Sequence, residues 1–239
     1  MKKALKQIVK KIPIAFTKNQ QYDKLTNKII KKVCKPDTNC IDVGAHKGEV
    51  LDIILKYSPN GTHYAFEPIP DMYEKLKEKY NSRAGCNIMD IAVSDRKGTS
   101  TFNYVVSNPS YSGLIKRKYD RPNETDTTIE VKTDRLDDVL PADYKPGLMK
   151  IDVEGGEMLV LLGAKETITR HKPIIIFEHG LGASDFYGST PDKLFELLHG
   201  YGMKISTLKN WLAEKPSLSQ REFGELYKHN TEYYFIAHP

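Results

Sequence analysis

The sequence predicts a doubly wound, Rossmann-like α/β domain, and three observations carry that prediction. NCIDVGAHKGE at 39–49 is a short apolar strand that runs through a glycine turn into a segment with Val50, Leu51, Ile54 and Leu55 at helical spacing. A second strand at 62–66 ends in an acid, Glu67. GLMKID at 147–152 and PIIIFE at 173–178 are apolar runs suited to the buried centre of a parallel sheet. In such sheets ligands bind beyond the carboxyl ends of the strands.

The elements follow in order. A basic N-terminal arm, residues 1–36, precedes a domain at 37–239. Within the arm, Leu5, Ile8, Val9 and Ile12 recur at helical spacing among lysines, and a second helical segment covers 22–33. The first strand is 39–43, its helix 48–57, and Ser58, Pro59, Asn60 and Gly61 make the turn back. After the strand at 62–66, Pro68 and Pro70 open a helix that reaches Tyr80, and a strand follows at 86–92. Alternating segments at 99–106 and 127–132 flank a long polar stretch, expected to be a mobile lid. A short helix at 134–140 leads to the strand 147–152, a helix at 156–170 and the strand 173–178. A helix at 191–201 and strands at 203–207 and 232–237 complete the sheet.

Composition narrows the class. Of 239 residues, 39% are hydrophobic and 28% charged, as in soluble domains. No apolar run approaches the ~20 residues that span a bilayer. Lysines interrupt the apolar residues of MKKALKQIVKKIPIAF, so no signal-peptide core forms. Three cysteines, Cys34, Cys40 and Cys86, form no C-x-x-C pair, and a reduced, cytoplasmic setting is expected. The net charge of +5 is uneven: residues 1–35 hold eleven lysines and one acid, which leaves the remainder at −5. A basic stripe around a cleft, expected of nucleic-acid binding, is therefore absent from the body. The arm suits packing on the body or a partner subunit better than lying on anionic lipid, which stays the alternative.

The glycine spacing bears on the ligand. Gly44 and Gly48 enclose Ala45, His46 and Lys47, which differs from the dinucleotide pattern G-x-G-x-x-G. Glycine is expected at this turn so that backbone can approach a ligand. Asp42 precedes the turn, and Glu67 can accept from both hydroxyls of a ribose. Together they point to a nucleoside without a pyrophosphate, for which S-adenosylmethionine is the obvious candidate; an ordinary strand–helix connection is the alternative. Asp90 and Ile91 fall where a carboxylate and an aliphatic group would meet an adenine.

Two further strand ends carry acids. Asp152, Glu154 and Glu157 crowd the end of the strand 147–152, and such crowding costs free energy unless the groups are bonded or paired. Helix capping accounts for Glu157; Asp152 and Glu154 are expected in a site. Glu178 and His179 end the next strand at the same edge, and a histidine there can take a proton from a hydroxyl. A structural Glu178–His179 pair, or a divalent ion on these four residues, are the other readings.

In this order, IDVGAHKGE at 41–49, AFEP at 65–68, IAVSD with Gly98, T-x-R-L-D at 133–137, KIDVEGGE at 150–157 and FEHG at 177–180 resemble the FkbM family of methyltransferases. The resemblance covers roughly 39–179. It implies a class I methyltransferase fold of seven strands, the last antiparallel, and O-methylation of a hydroxyl on a sugar, glycan or secondary metabolite. Asp42, Gly44, Ala45, His46, Gly48, Glu67, Pro68, Asp90, Ile91 and Asp152 are the expected cofactor contacts. His179 is the expected base, supported by Glu178, with Asp152 and Glu154 positioning a small-molecule or glycan acceptor.

Overall fold

The computed structural model describes residues 17–119 and 123–239. Helix α1 (Lys18–Val33) starts at a reciprocal cap between Thr17 and Gln20 and turns Tyr22, Ile29 and Ile30 inward. Then come β1 (Asn39–Val43), α2 (Glu49–Tyr57), β2 (His63–Phe66), α3 (Pro70–Tyr80), β3 (Cys86–Met89), β4 (Ile91–Val93), β5 (Gly98–Val105) and β6 (Asp126–Asp134). The second half holds α4 (Leu136–Val139), β7 (Pro146–Ile151), α5 (Glu157–Gly163), α6 (Lys165–His171), β8 (Ile174–Glu178), α7 (Pro191–Gly200), β9 (Lys204–Thr207), α8 (Leu208–Leu212), α9 (Gln220–Lys228) and β10 (Tyr234–His238).

Seven strands form the main sheet in the order β3-β2-β1-β7-β8-β10-β9, and β10 runs antiparallel to both neighbours. This is the Rossmann-like, class I methyltransferase order that the motifs imply. The sequence runs outward from β1 to β3 and then resumes on the other side of β1 at β7. That reversal places a crevice at the carboxyl ends of β1 and β7. Apolar residues on both sheet faces are buried, including Ile41, Met149, Ile151, Ile175 and Phe177 on one side and Cys40, Leu148, Ile176 and Ile236 on the other.

Three expectations are corrected. The strand at 86–92 breaks at Asp90: β3 stays in the main sheet, whereas β4 pairs with β6 in a second, three-stranded sheet, β4-β6-β5. The helix at 156–170 is two helices, because the Asp137 carboxylate accepts from the Glu166 and Thr167 N–H groups at 2.9 Å each and caps a new start. Helices α8 and α9 lie in a stretch for which no helix is expected. Helix α1, within the arm, shares a core with Cys40, Ile54, Leu148 and Ile176. The apolar repeat Leu5, Ile8, Val9 and Ile12 lies outside the described residues. Among those described, no helix is long and apolar enough to cross a membrane.

Candidate active site

A cleft of about 850 Å³ opens at the crevice. Residues 43–46 after β1, residues 66–69 after β2 and residues 91–93 of β4 line one half. The ends of β7 and β8, through Asp152, Glu154 and Glu178, form its middle. Helix α1 and residues 230, 233 and 234 close the other half, and residues 109–112, 114 and 117 cross above.

The glycine turn is shaped by the protein rather than by room for a ligand. Gly44 has φ +78°, and a Cβ there would fall on the Asp152 carbonyl oxygen. Gly48 also has positive φ, and a Cβ would overlap the Tyr80 side chain, whose hydroxyl donates to the Gly48 carbonyl at 2.8 Å. Gly48 therefore stands behind the cleft wall. Gly44, Ala45 and His46 are on it.

Asp42 is also behind the wall, 1% exposed, with neither carboxylate oxygen hydrogen-bonded. Burial pushes its carboxyl up to about 6, against the opposing pull of Lys150, whose Nζ is 3.9 Å away. Glu67 is on the wall. Its Oε2 accepts from the His46 N–H at 2.8 Å and its Oε1 from the Ile69 N–H at 3.0 Å, while burial raises its pKa to about 7. Each oxygen keeps a second lone pair, so two hydroxyls of a ribose find acceptors there. Pro68, Ile69, Ile91 and Phe102 give the apolar surface that a nucleoside base needs. These residues fit a nucleoside cofactor. Asp90 does not join them: it is directed outward to Lys132 at 2.6 Å, because the chain turns from one sheet to the other at this residue.

The second cluster centres on Lys150, a buried residue of β7 that sequence reasoning missed. It faces Asp42 on β1 and lies 3.2 Å from Asp152. Burial opposes its charge, but the two carboxylates outweigh that and raise its pKa. Burial likewise pushes Asp152 up, yet Lys150 and hydrogen bonds from Tyr234 and Glu178 leave it below the usual carboxylate range. Glu178 moves the other way, far upward, through burial and then the Asp152 charge. One carboxyl of the pair thus holds a proton while the other is ionised. Glu154, with φ +58°, pairs with Arg117, and burial still raises it to about 8. Glu157, the first residue of α5, braces the turn before it, accepting from the Val153 N–H at 2.9 Å and the Gly155 N–H at 3.2 Å. Among the described residues, no group of three or more His, Cys, Asp or Glu side chains is placed to hold a metal ion.

His179 is corrected. Alternation along the chain sends it away from Glu178 and the cleft, and it packs against Phe223 and Tyr227 with ring centroids 5.6 and 4.9 Å away. It is 1% exposed, its Nε2 has no partner, and burial lowers its pKa to about 4. A base needs contact with the reacting proton, which this position denies. His179→Ala should destabilise the fold by about 1–3 kcal/mol through lost packing. Turnover per folded molecule should stay within a few fold; a loss of about 10² would restore the histidine to catalysis.

The described residues of the polar stretch cross the cleft. Pro109–Tyr111 forms a turn of 3₁₀ helix, Asn103 and Gly113 bridge, and the Ile115 N–H donates to the Tyr187 hydroxyl at 3.0 Å. Arg117 stacks over Tyr111, 4.6 Å from the ring centroid, and ties the stretch to Glu154.

Buried carboxyls also set a pH dependence. Asp42, Glu67 and Glu157 hold protons to about 6, 7 and 7 when folded, above their unfolded values near 4. Between those limits the folded state binds more protons, so stability is full below about 4 and falls as pH rises toward 7. Thermal unfolding of the cofactor-free protein at pH 5 and pH 8 checks the sign: the midpoint should be higher at pH 5.

The profile of the Methyltransferase FkbM domain matches residues 42–205. The chain belongs to the FkbM methyltransferase family. It is 28% identical to 2-O-methyltransferase NoeI of Sinorhizobium fredii over 162 residues, covering 62% of this chain and 65% of NoeI. It is 27% identical to methyltransferase sdnD of Sordaria araneosa, over 53% of this chain and 60% of sdnD. The chain thus spans somewhat less than two thirds of each. A crystal structure of methyltransferase FkbM from Methylobacillus flagellatus KT is 16% identical, with a TM-score of 0.48, over 68% of this chain and 38% of that one.

Proposed function

We propose that the protein is an S-adenosylmethionine-dependent O-methyltransferase that acts on a hydroxyl of a sugar, glycan or secondary metabolite. The observation that carries this reading is the cleft itself. It has a nucleoside-fitting wall around Glu67 at one side and, in the middle, the Asp152 carboxyl 3.2 Å from the Lys150 ammonium. The relative NoeI, a 2-O-methyltransferase, supports the choice of oxygen as the methylated atom.

The donor, when bound, supplies a methyl group already activated on a sulfonium. The chain must then align an acceptor hydroxyl and take its proton. Asp152 takes it in this reading. Lys150 keeps the carboxylate ionised, and the Tyr234 hydroxyl orients it. Glu178, already protonated, does not compete for the proton. A cytoplasmic setting is part of the proposal and fits three free thiols.

Calorimetry with S-adenosylhomocysteine tests the cofactor. Glu67→Ala should weaken binding by about 1.5–3 kcal/mol, the value of hydrogen bonds to a charged acceptor. Binding of NAD without binding of S-adenosylhomocysteine would overturn the reading. Closure of the polar stretch is a second expectation. Cofactor and acceptor together should protect residues 107–125 from protease, and Arg117→Ala should expose them by removing the tie to Glu154. Equal cleavage with and without ligands would exclude a lid.

A further inference from the structure

Two of the three cysteines meet where the arm joins the sheet. Cys34 follows the last residue of α1, Cys40 is the second residue of β1, and their Sγ atoms are 3.6 Å apart. The turn between them brings them together. The Thr38 hydroxyl accepts from the Lys35 N–H at 2.8 Å, the Thr38 N–H donates to the Lys35 carbonyl at 3.0 Å, and the Asn60 N–H donates to the Pro36 carbonyl at 2.8 Å. Pro36 also stiffens this turn, so the chain reverses between residues 34 and 40 and the two thiols face each other.

The two thiols are unlike. Cys40 is fully buried in the core it shares with Ile54, Leu148 and Ile176, whereas Cys34 is partly exposed beyond the helix, in extended backbone. A hydrogen bond from the Cys40 thiol pulls the Cys34 thiol below its ordinary range, against the effect of burial. That same bond, together with burial, pushes Cys40 up. The thiolate is the nucleophile, so an accessible, acidified Cys34 backed by a second sulfur has the makeup of an attacking and resolving pair. Cys86 lacks it. It lies two strands away on β3, about 10 Å from Cys40 at ordinary strand spacing, and burial pushes its thiol up.

We propose that Cys34 and Cys40 form a thiol–disulfide exchange site, in which Cys34 attacks a small-molecule disulfide such as glutathione disulfide and Cys40 resolves the adduct. In the first step Cys34 Sγ bonds one sulfur of glutathione disulfide, and the other leaves as a glutathione thiolate. In the second, Cys40 gives up its proton and attacks Cys34 Sγ, forming the intramolecular disulfide and releasing the second glutathione. One disulfide is reduced to two thiols while two protein thiols are oxidised to one disulfide, and the two protons pass through solvent to the two glutathiones. The sulfurs close by about 1.5 Å to bond, a movement open to Cys34 because it lies past the helix end. The product ties the end of α1, which lines the cleft through Asn19, Tyr22, Asp23 and Thr26, to the strand that leads into Gly44. The site stands independently of the methyl-transfer reading.

Native protein should be incubated with glutathione disulfide, quenched with acid, alkylated and digested with trypsin. Trypsin does not cut Lys35–Pro36, so residues 33–47 emerge as one peptide that holds both sulfurs. Its mass should fall by two hydrogens and be restored by dithiothreitol. Closure should run at least ~10-fold faster than Cys86 gains a glutathionyl group, a difference set by thiolate fraction and access. Cys34→Ser should leave Cys40 unmodified, and Cys86→Ser should leave closure unchanged. No reaction of the pair, a lasting glutathionyl group on Cys34, closure only in denaturant, reaction of Cys40 in Cys34→Ser, or Cys86 reacting as fast as the pair would each overturn the proposal.

Discussion

Asp152→Asn should lower methyl-transfer turnover by about 10²–10⁴-fold, the usual contribution of a positioned base. The amide keeps the shape and can still accept from Tyr234, but it cannot take a proton from a hydroxyl. Affinity for S-adenosylhomocysteine should change less than turnover, because Glu67, the proposed ribose contact, follows a different strand, β2. The wild-type pH profile should lack an acid limb near neutrality, since Lys150 and Tyr234 hold the Asp152 carboxyl below its ordinary range. Turnover of Asp152→Asn within threefold of wild type would remove the base assignment and leave the family membership intact.

Gly44→Ala should cost about 2–5 kcal/mol of folding stability. A left-handed backbone position costs an L-residue about 1–2 kcal/mol, and overpacking adds about 1–3. The added methyl meets the Asp152 carbonyl, a backbone atom of the neighbouring strand end that cannot swing aside. Relief requires β1 and β7 to part where the Asp152 N–H donates to the Val43 carbonyl at 3.1 Å, so Asp152 itself should shift. Chemical denaturation reads the loss. Gly224→Ala in α9 is the control: its Cβ meets nothing within 4 Å, and helix propensity predicts a gain of up to ~1 kcal/mol. Equal stabilities for the two variants would show that the turn tolerates a side chain.

Where a residue acts through its own strand end, the sequence is a good guide. Gly44, Ala45, His46, Glu67, Pro68, Ile91, Asp152, Glu154 and Glu178 all line the cleft, as their places at strand ends imply. Asp42, Gly48, Asp90 and His179 have comparable places yet do not line it, and the reasons are local. Asp42 and Gly48 are turned into the protein, Asp90 marks a change of sheet, and His179 is one residue out of phase with Glu178. Lys150 was within reach, because it is two residues before Asp152 and shares its face. Tyr234 and Arg117 were not, since each meets a carboxylate from a distant part of the chain, and Tyr22 reaches the site by stacking on Tyr234.

By itself, then, the sequence determined the strand–turn–helix order, the parallel sheet and the family, because periodicity, glycine turns and strand-terminal acids are local and act over a few residues. The tertiary structure decided which carboxyl stays ionised, which side chain touches the cleft and what walls its far half. Those depend on burial and on charges brought together across strands, and a shared low-dielectric site moves each proton according to neighbours that can be eighty residues away, as Tyr234 is from Asp152.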